Sequence, residues 1–418
     1  MAQIPPSLCR LPTVAASAVI LLLILPSCQG AEQIKVMLAG QILDRNAQLP
    51  KFLSDEPLVD MVAIPARGDY VRGGMDSVMK YIRLYFPRTY EEMKRFDYIL
   101  LTSPEYYLFT TQQDKWMHDV IEEGAGGFND ASVFSIVSQI HEAWAVSLTQ
   151  LAFPNDAPAV VARGGGGESL YSHFTVRVNR DFPDPVLTPY IPYGIEEVGC
   201  SESRFLIPRE GSGILAWQVG NIPGNEDVPY LVAWEYGEGR TMTIGDAMHK
   251  ELGFFRYPKT SSDNVYAADI LTNIILHSTG RSLIQDVEVF HRIKSYFIDF
   301  RAKKAVLVSL SDFIDKFGAN TGQIQKAILE VEDTARLADD QYLNQEFVEC
   351  EATMTQAFGD LQAANGLAKK LKSVALIWVY VIEWLATTAT LLVSGYVLWT
   401  LMARRRLYRS VRTTKSIR

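Results

Sequence analysis

The chain has 418 residues, of which 48% are hydrophobic and 21% are charged, and its formal net charge is −8. This composition is typical of a folded protein with one large domain or two, and it excludes an intrinsically disordered chain. Basic residues are concentrated at the C-terminal end, so the acidic remainder argues against a nucleic-acid partner, which needs clustered Lys and Arg on the folded part.

The N-terminal segment, residues 1–30, has the pattern of a secretion signal. Arg10 precedes an apolar stretch from Val14 to Leu25, and small residues follow that stretch. A charged region, an apolar core and a small-residue cleavage zone are typical of a cleaved leader. The segment before Cys28 also resembles a bacterial lipoprotein box, in which Cys28 would be lipidated. An uncleaved anchor is the alternative, for which the apolar run is short.

The first half of the body alternates short apolar runs with helical stretches. The predicted elements are strands at Ile34–Ala39, Val59–Ile64, Tyr98–Thr102 and Val133–Val137, and helices at Met75–Leu84, Gln112–Glu123 and Gln139–Gln150. Such alternation is typical of βαβ units, so the sequence predicts an α/β fold with a mostly parallel sheet covered on both faces by helices.

The second half has Gly- and Pro-rich connections between strands that are expected to be antiparallel. These strands are Ala159–Ala162, Phe174–Val178, Gly213–Val219, Tyr230–Trp234 and Arg240–Gly245, and a final helix is predicted at Tyr266–His277. Glycines in the Glu235–Arg240 segment supply the positive φ of a short hairpin turn.

Four segments, in this order, resemble the class I glutamine amidotransferase-like superfamily. They are Phe96-Asp97-Tyr98-Ile99-Leu100-Leu101, Glu123-Gly124-x-Gly126-Gly127-Phe128, Tyr236-Gly237-Glu238-Gly239-Arg240 and Gly245-Asp246-Ala247-Met248-His249. The nearest branch is uncharacterised and related to ThuA-like proteins. The resemblance covers roughly residues 33–280 and implies a flavodoxin-like domain, which we place at residues 31–280.

The nucleophile of true glutamine amidotransferases is missing from this resemblance. Those enzymes use a Cys in a Gly-x-Cys-x-Gly elbow, assisted by a His-x-Glu pair, because acyl transfer needs a thiolate beside an imidazole. Cys200 and Cys350 lie in no such elbow, and Ser132, Ser135 and Ser138 form no Gly-x-Ser-x-Gly motif. The sequence therefore predicts no glutaminase activity.

The same two cysteines have two possible states outside the cytoplasm. Cys200 and Cys350 either pair in an oxidising compartment or remain free and buried. No two cysteines have C-x2-C spacing, so a thiolate metal site is not expected.

Candidate site residues follow the predicted strands, because ligands of open α/β sheets bind beyond the carboxyl ends of the strands. The expected ligand-binding residues are Gln41, Asp69, Glu105 and Asn129. Asp246, His249 and Glu105 are the catalytic candidates, since a carboxylate three residues from an imidazole can orient it for general-base or metal work. A helix N-cap Asp and a surface His are the alternative.

No cofactor signature is present in the sequence. The glycine run at 163–168 lacks the Gly-Lys-Ser/Thr end of a phosphate loop and predicts a flexible loop.

Residues 281–372 are expected to form a helical juxtamembrane stalk. Apolar or small residues step by three and four along it, at Leu343, Phe347, Cys350, Met354, Ala357, Leu361, Ala364, Ala368 and Leu371. This spacing is that of a helical seam. The seam serves either a parallel dimer or packing onto the Ile284–Phe313 segment, and Gly359 and Gly366 favour the second.

Residues 373–402 are predicted to be one transmembrane helix, because the apolar run from Val374 to Met402 exceeds the thickness of a bilayer core. The arginines at 404–406 place the tail, residues 403–418, in the cytoplasm and the body outside. Glu383 is the one acid in the run, and it is either a contact for a partner helix or solvated near the headgroups.

The sequence favours a membrane-anchored, extracytoplasmic binding or interaction protein without catalysis. A ThuA-like carbohydrate-processing enzyme or other hydrolase, and a subunit of a membrane complex, are the alternatives. Protein partners are expected at the stalk or the transmembrane helix, and no small-molecule ligand follows from the residues.

Overall fold

The computed structural model describes residues 32–43, 48–68, 71, 73–130, 138–156, 174–182, 184–200, 206–220, 228–246, 248, 254–255, 264–284, 286–318 and 320–415. Its strands are β1 (Ile34–Gly40), β2 (Val59–Pro65), β3 (Tyr98–Thr102), β4 (Gly126–Asp130), β5 (Asn155–Asp156), β6 (Phe174–Val178), β7 (Gly199–Cys200), β8 (Ile207–Pro208), β9 (Gly213–Gly220), β10 (Val228–Tyr236) and β11 (Gly239–Ile244). Strands β5 and β8 pair with each other, and the other nine form one sheet.

The sheet has the order β2-β1-β3-β4-β11-β10-β9-β6-β7. The strands from β2 to β11 in that order run parallel, and the remaining four continue the sheet in antiparallel fashion. β1 and β3 are buried on both faces, as their unbroken apolar runs require in a covered parallel sheet. The predicted α/β architecture with a mostly parallel core is confirmed.

The fourth strand was not predicted from the sequence. Gly126 and Gly127 belong to β4, a segment that no sequence pattern assigned to a strand. A Cβ at Gly126 would lie 2.5 Å from the Tyr98 ring, and one at Gly127 would lie 2.9 Å from the Thr241 methyl group. Glycine is needed here because neighbouring strands carry bulky side chains. The predicted strands at 133–137 and 159–162 lie outside the described residues.

Helices cover both faces of the sheet. Those of the α/β domain are α1 (Leu49–Asp55), α2 (Gly74–Tyr85), α3 (Tyr90–Met93), α4 (Thr111–Glu122), α5 (Ser138–Ala145) and α6 (Ala267–Ser278). α4 begins at a capping box between Thr110 and Gln113, which satisfies two backbone N–H groups. Helices α2 to α5 pack on one face, and α1 and α6 pack on the other.

Three long helices complete the chain: α7 (Val287–Lys316), α8 (Gly322–Leu343) and α9 (Phe347–Lys415). They form a bundle in which the predicted seam of α9 faces inwards, so that Cys350, Met354 and Ala368 are fully buried. Of the two arrangements expected for the seam, the single chain adopts the intramolecular one. The bundle and the α1/α6 face of the sheet belong to one continuous hydrophobic core.

α9 continues well beyond the bundle. Among the described residues it is the one helix long and apolar enough to cross a membrane, and the apolar part packs against no other part of the chain. Glu383 is exposed there, so its predicted role as a partner contact stays a prediction.

Candidate functional site

The carboxyl ends of the parallel strands are joined by a continuous set of hydrogen bonds. The backbone N–H of Gln41, after β1, donates to the carbonyl oxygen of Thr102 at 2.8 Å. The N–H of Glu105 donates to Ala66, after β2, also at 2.8 Å. Because these bonds link loops that are distant in sequence, the strand ends form one structural unit.

Ser103 lies at the centre of this edge, immediately after β3. Its φ is +46°, in the left-handed region that non-glycine residues seldom adopt. The Arg67 guanidinium contacts its carbonyl oxygen at 3.5 Å, and its hydroxyl lies 3.3 Å from each carboxylate oxygen of Asp130. A strained backbone after a central strand is a feature of functional sites. Ser103 is therefore a site candidate.

The Asp130 carboxylate, after β4, is fully buried and accepts several hydrogen bonds. Its donors include the Thr102 hydroxyl at 3.1 Å, the Ser103 N–H at 2.9 Å and the Met248 N–H at 3.1 Å. Backbone donors stabilise the ionised form of a buried carboxylate. Asp130 therefore fixes the turn after β3 and the segment after β11 in place.

Asp246, after β11, has a similar structural role. One of its carboxylate oxygens accepts from the Phe254 N–H at 2.9 Å and from the Tyr230 hydroxyl at 3.3 Å. Burial raises the pKa of Tyr230 well above its ordinary value, and neighbouring Cys200 and Asp246 add to the rise, so the phenol stays a donor. Asp246 thus links β10 to Phe254, and no described helix begins at this position for it to cap.

Asn129 and Gln41, two amide side chains at this edge, differ from these carboxylates because polar atoms of theirs have no hydrogen-bond partner among the described residues. Asn129 in β4 is fully buried, and neither its Oδ1 nor its Nδ2 has a partner in the part of the chain that the structure describes. Thr243, its direct neighbour on β11, is equally buried and its hydroxyl is also unpartnered. Oε1 of Gln41, which is 5% exposed, has no partner either. Unpartnered buried polar atoms mark places where a bound group completes the hydrogen bonding.

Glu105 is buried and its carboxylate accepts from the Tyr107 hydroxyl at 3.0 Å. Thus four predicted site residues, Gln41, Glu105, Asn129 and Asp246, lie in or directly beyond the parallel strands. Asn129 and Asp246 are on opposite faces of the sheet, because Asn129 is one residue from Phe128 in β4 whereas Asp246 is two from Ile244. Asp69 and His249 lie outside the described residues.

Sequence reasoning missed Thr243 and gave no role to Ser103 or Asp130. The strand-end rule does include Asp130 and Ser103, but the left-handed backbone of Ser103 has no signature in residue type. Thr243 was passed over as an ordinary β-branched strand residue.

One group of side chains has the composition of a metal site. Ligand atoms of His118, Asp119 and Glu122 on α4 all lie within 4.8 Å of one another. The His118 ring already bonds Asp119 at 3.0 Å and the Tyr236 hydroxyl at 2.8 Å, and Lys115 forms an ion pair with Asp119 at 2.6 Å. Protein partners thus satisfy these groups, and the cluster is a surface ion pair network.

Cys200 and Cys350 are both buried and form no disulfide with each other in this structure. The Cys350 thiol donates to the Ala338 carbonyl oxygen at 3.3 Å. Burial raises the pKa of this thiol to about 12, with Asp339 and Glu351 contributing, so neither thiolate chemistry nor pairing is expected at Cys350.

No protein-family model matches the chain, and no curated protein matches it. Two cytoplasmic proteins of Salmonella typhimurium are similar in structure over 59% of this chain and 99% of theirs, at 17% and 14% sequence identity and TM-scores of 0.43 and 0.41. A GH42 β-galactosidase from G. stearothermophilus is similar over 60% of this chain and 31% of its own, at 10% identity and a TM-score of 0.27. Values this low support no inference about activity, and superfamily membership stays a prediction.

Proposed function

We propose that this chain is a membrane-anchored, extracytoplasmic binding protein, without catalytic activity, that takes a small polar ligand beside Asn129 at the carboxyl edge of its sheet. The observation that carries the proposal is the Asn129 amide, buried with both polar atoms unpartnered among the described residues.

The buried, unpartnered polar atoms of Asn129 and Thr243 raise the free energy of the folded protein. A buried polar atom without a partner costs about 1–3 kcal/mol, so neighbouring Asn129 and Thr243 together destabilise the unliganded fold. A ligand that both donates and accepts hydrogen bonds, such as a carboxamide or a sugar hydroxyl pair, removes that cost. The carboxylates of Asp130 and Asp246, in contrast, already accept hydrogen bonds from backbone N–H groups of the protein. We therefore assign them a structural role and not a catalytic one.

The membrane anchorage rests on composition. The leader, the apolar part of α9 and the arginines that follow it support a body outside the cell and a tail inside.

The test is a ligand screen on the full-length chain in lipid nanodiscs, using sugars, amino acid amides and nucleosides and monitoring thermal unfolding. A binder should raise the Tm of the wild type. Asn129→Leu should lose that increase, because it removes the amide at nearly constant volume. Asn155→Leu is the matched control, since Asn155 is equally buried and unpartnered but lies on β5, outside the parallel strands. Equal ligand responses in the two variants would exclude this site.

A second candidate function, a hydrolase of the ThuA-like type, is favoured by one specific observation. Ser103 presents a hydroxyl beside a buried carboxylate from a left-handed backbone after a central strand. The nucleophile elbow of α/β-hydrolases has the same local character. A fluorophosphonate probe tests this candidate. Labelling of the wild type that is lost in Ser103→Ala would support the hydrolase. If Ser103 is not labelled, the binding protein stays the proposed function.

A further inference from the structure

The end of the helical bundle that is farthest from the sheet lies level with the start of the apolar part of α9. α7 and α9 run parallel: Arg292 forms a two-point ion pair with Glu351, 59 residues later, at 2.5 and 3.0 Å. Near the other end, Lys372 lies 5.6 Å from the ring of Phe313, at the same separation in sequence. Because the register is kept, the last residue of α7, Lys316, is level with Ala375.

The tip of the bundle, which we define as Phe313, Lys316 and Phe317, exposes aromatic surface. Phe313 is 39% exposed and Phe317 is 42% exposed, although they stack edge to face at 4.7 Å. The two rings leave aromatic surface exposed together at the end of a long helix, whereas Val306 and Val308, the other exposed large apolar residues of α7, carry no ring. Large exposed apolar groups that lie together mark interaction sites.

The apolar surface of α9 begins at the same level. Ala375, which is level with the tip, is 5% exposed, while Ile377 and Trp378 are 60% and 64% exposed. Exposed aromatic rings and the first exposed residues of the apolar run therefore form one continuous surface around the end of the bundle.

We propose that the tip rests in the outer interfacial layer of the bilayer that α9 enters, with Phe313 and Phe317 among the lipid headgroups and upper acyl chains. This proposal depends on the membrane anchorage proposed above. Apolar side chains of interfacial segments sit about 5–10 Å into this layer. Asp312 and Asp315 lie beside Lys316, and Lys369, Lys370 and Lys372 lie on the neighbouring part of α9, so the proposed contact rests on the exposed aromatic rings and not on the net charge. Continuity with the apolar run makes lipid, and not a soluble partner, the occupant.

Spin labels on the full-length chain in phosphatidylcholine nanodiscs test the proposal. With Cys9 and Cys28 changed to Ser, the remaining cysteines are buried, and the parent protein serves as the labelling blank. A nitroxide is placed at Phe317→Cys and, as a control, at Val306→Cys, which is 63% exposed on the same helix. The control lies about 16 Å farther from the bilayer at 1.5 Å per residue. A third label, at Leu392→Cys, lies within the apolar run.

Power saturation then compares collisions with oxygen, which partitions into lipid, and with a neutral nickel complex, which stays in water. The expected shift is towards oxygen at 317 and 392 but not at 306. A label at 317 that behaves like the one at 306, with 392 still in lipid, would overturn the tip contact and leave the anchorage intact. A label at 392 in water would overturn the anchorage itself. Dipolar broadening at 317 with poor access for both reagents would identify a second copy as the occupant and also overturn the proposal.

Discussion

The ammonium group of Lys294 on α7 lies 2.8 Å from Oε2 of Glu56, at the end of α1, and both side chains are almost completely buried. Lys294 also lies 3.6 Å from Asp269 on α6, whose other oxygen contacts His291 at 2.6 Å. Thr272 donates to Glu56 at 2.8 Å. This network joins the helical bundle to the α/β domain.

Removing Lys294 should destabilise the protein strongly. Lys294→Met leaves Glu56 and Asp269 buried without their cation, and breaking a buried pair costs about 3–5 kcal/mol. Lys326→Met is the matched control, because that lysine is 79% exposed and its pair with Glu330 contributes under about 0.5 kcal/mol. Urea unfolding measures both. Equal midpoints for the two variants would show that the network contributes little.

The buried carboxyl group of Asp184 should make the stability of the protein depend on pH below neutrality. Burial raises the pKa of Asp184 to about 6, although the N–H groups of Val186 and Leu187 favour its ionised form. A carboxyl group whose pKa is higher in the folded state stabilises the fold most at low pH, and this contribution is lost as the pH rises from about 4 through 6.

The expected loss is roughly 3 kcal/mol, at 1.36 kcal/mol per unit of pKa. Asp184→Asn should flatten the stability curve between pH 4 and 7, as measured by urea titrations at each pH. Asp181→Asn, on an exposed neighbour, should leave the curve unchanged. A variant at 184 that keeps the wild-type slope would contradict the assignment.

The backbone strain at Ser103 should be visible in a pair of substitutions. Ser103→Gly relieves the left-handed conformation by about 1 kcal/mol but removes the hydroxyl contacts with Asp130, while the backbone N–H bond to Asp130 remains, so its net effect is small. Ser103→Val adds a β-branched side chain in that conformation and should destabilise by more than about 2 kcal/mol.

Gln345 provides the comparison, since its φ is +63° at the end of α8 and its side chain is partly exposed. Gln345→Gly relieves the left-handed conformation but removes the bond from its exposed Nε2 to the Ser282 carbonyl oxygen at 3.3 Å, so it should raise stability by less than about 1 kcal/mol. Thermal unfolding of the three variants checks the set. A stable Ser103→Val protein would mean that the turn is unstrained.

Gly239 should be intolerant of any side chain. A Cβ there would lie 2.1 Å from the carbonyl oxygen of Ile121 and 2.6 Å from that of Ala125, which are backbone atoms and cannot rotate away. Gly239→Ala should cost about 1–3 kcal/mol or more through overpacking. Gly366→Ala should instead add about 0.5–1 kcal/mol, because Gly366 is inside α9 with no atom near its Cβ position. Chemical denaturation that ranks the two variants in the opposite order would contradict this reasoning.

The fold was predictable wherever one pattern dominated. β1 and β3 carry apolar runs at Val36–Ala39 and Tyr98–Leu101, and the seam of α9 repeats at three and four residues, so a single pattern sets each structure. β4 was not predicted because its glycines are required by the side chains of Tyr98 and Thr241, which are their neighbours only in the folded sheet. These contacts join residues that are distant in sequence, so no local sequence pattern indicates them.

The site was predictable only in its location. The rule for strand ends finds Gln41, Glu105, Asn129 and Asp246, but it does not tell a carboxylate occupied by backbone N–H groups from an amide without partners. Asp246 differs from Asn129 because the Tyr230 hydroxyl and the Phe254 N–H approach it in the folded chain, which residue types do not specify. The prediction therefore ranked Asp246 above the residue that now carries the proposal.

Because the helical bundle and the α/β domain share one hydrophobic core, the distance between the sheet and the end of the bundle is fixed. A helix of 30 residues, such as α7, measures ~45 Å. A flexible linker of that length would sample many heights above the bilayer, whereas this bundle holds the sheet at one height and one tilt. Anchored in the way we propose, the protein would hold its α/β domain at a fixed distance from the membrane. A partner in the same membrane would meet the domain only if its own binding surface stood at the matching distance.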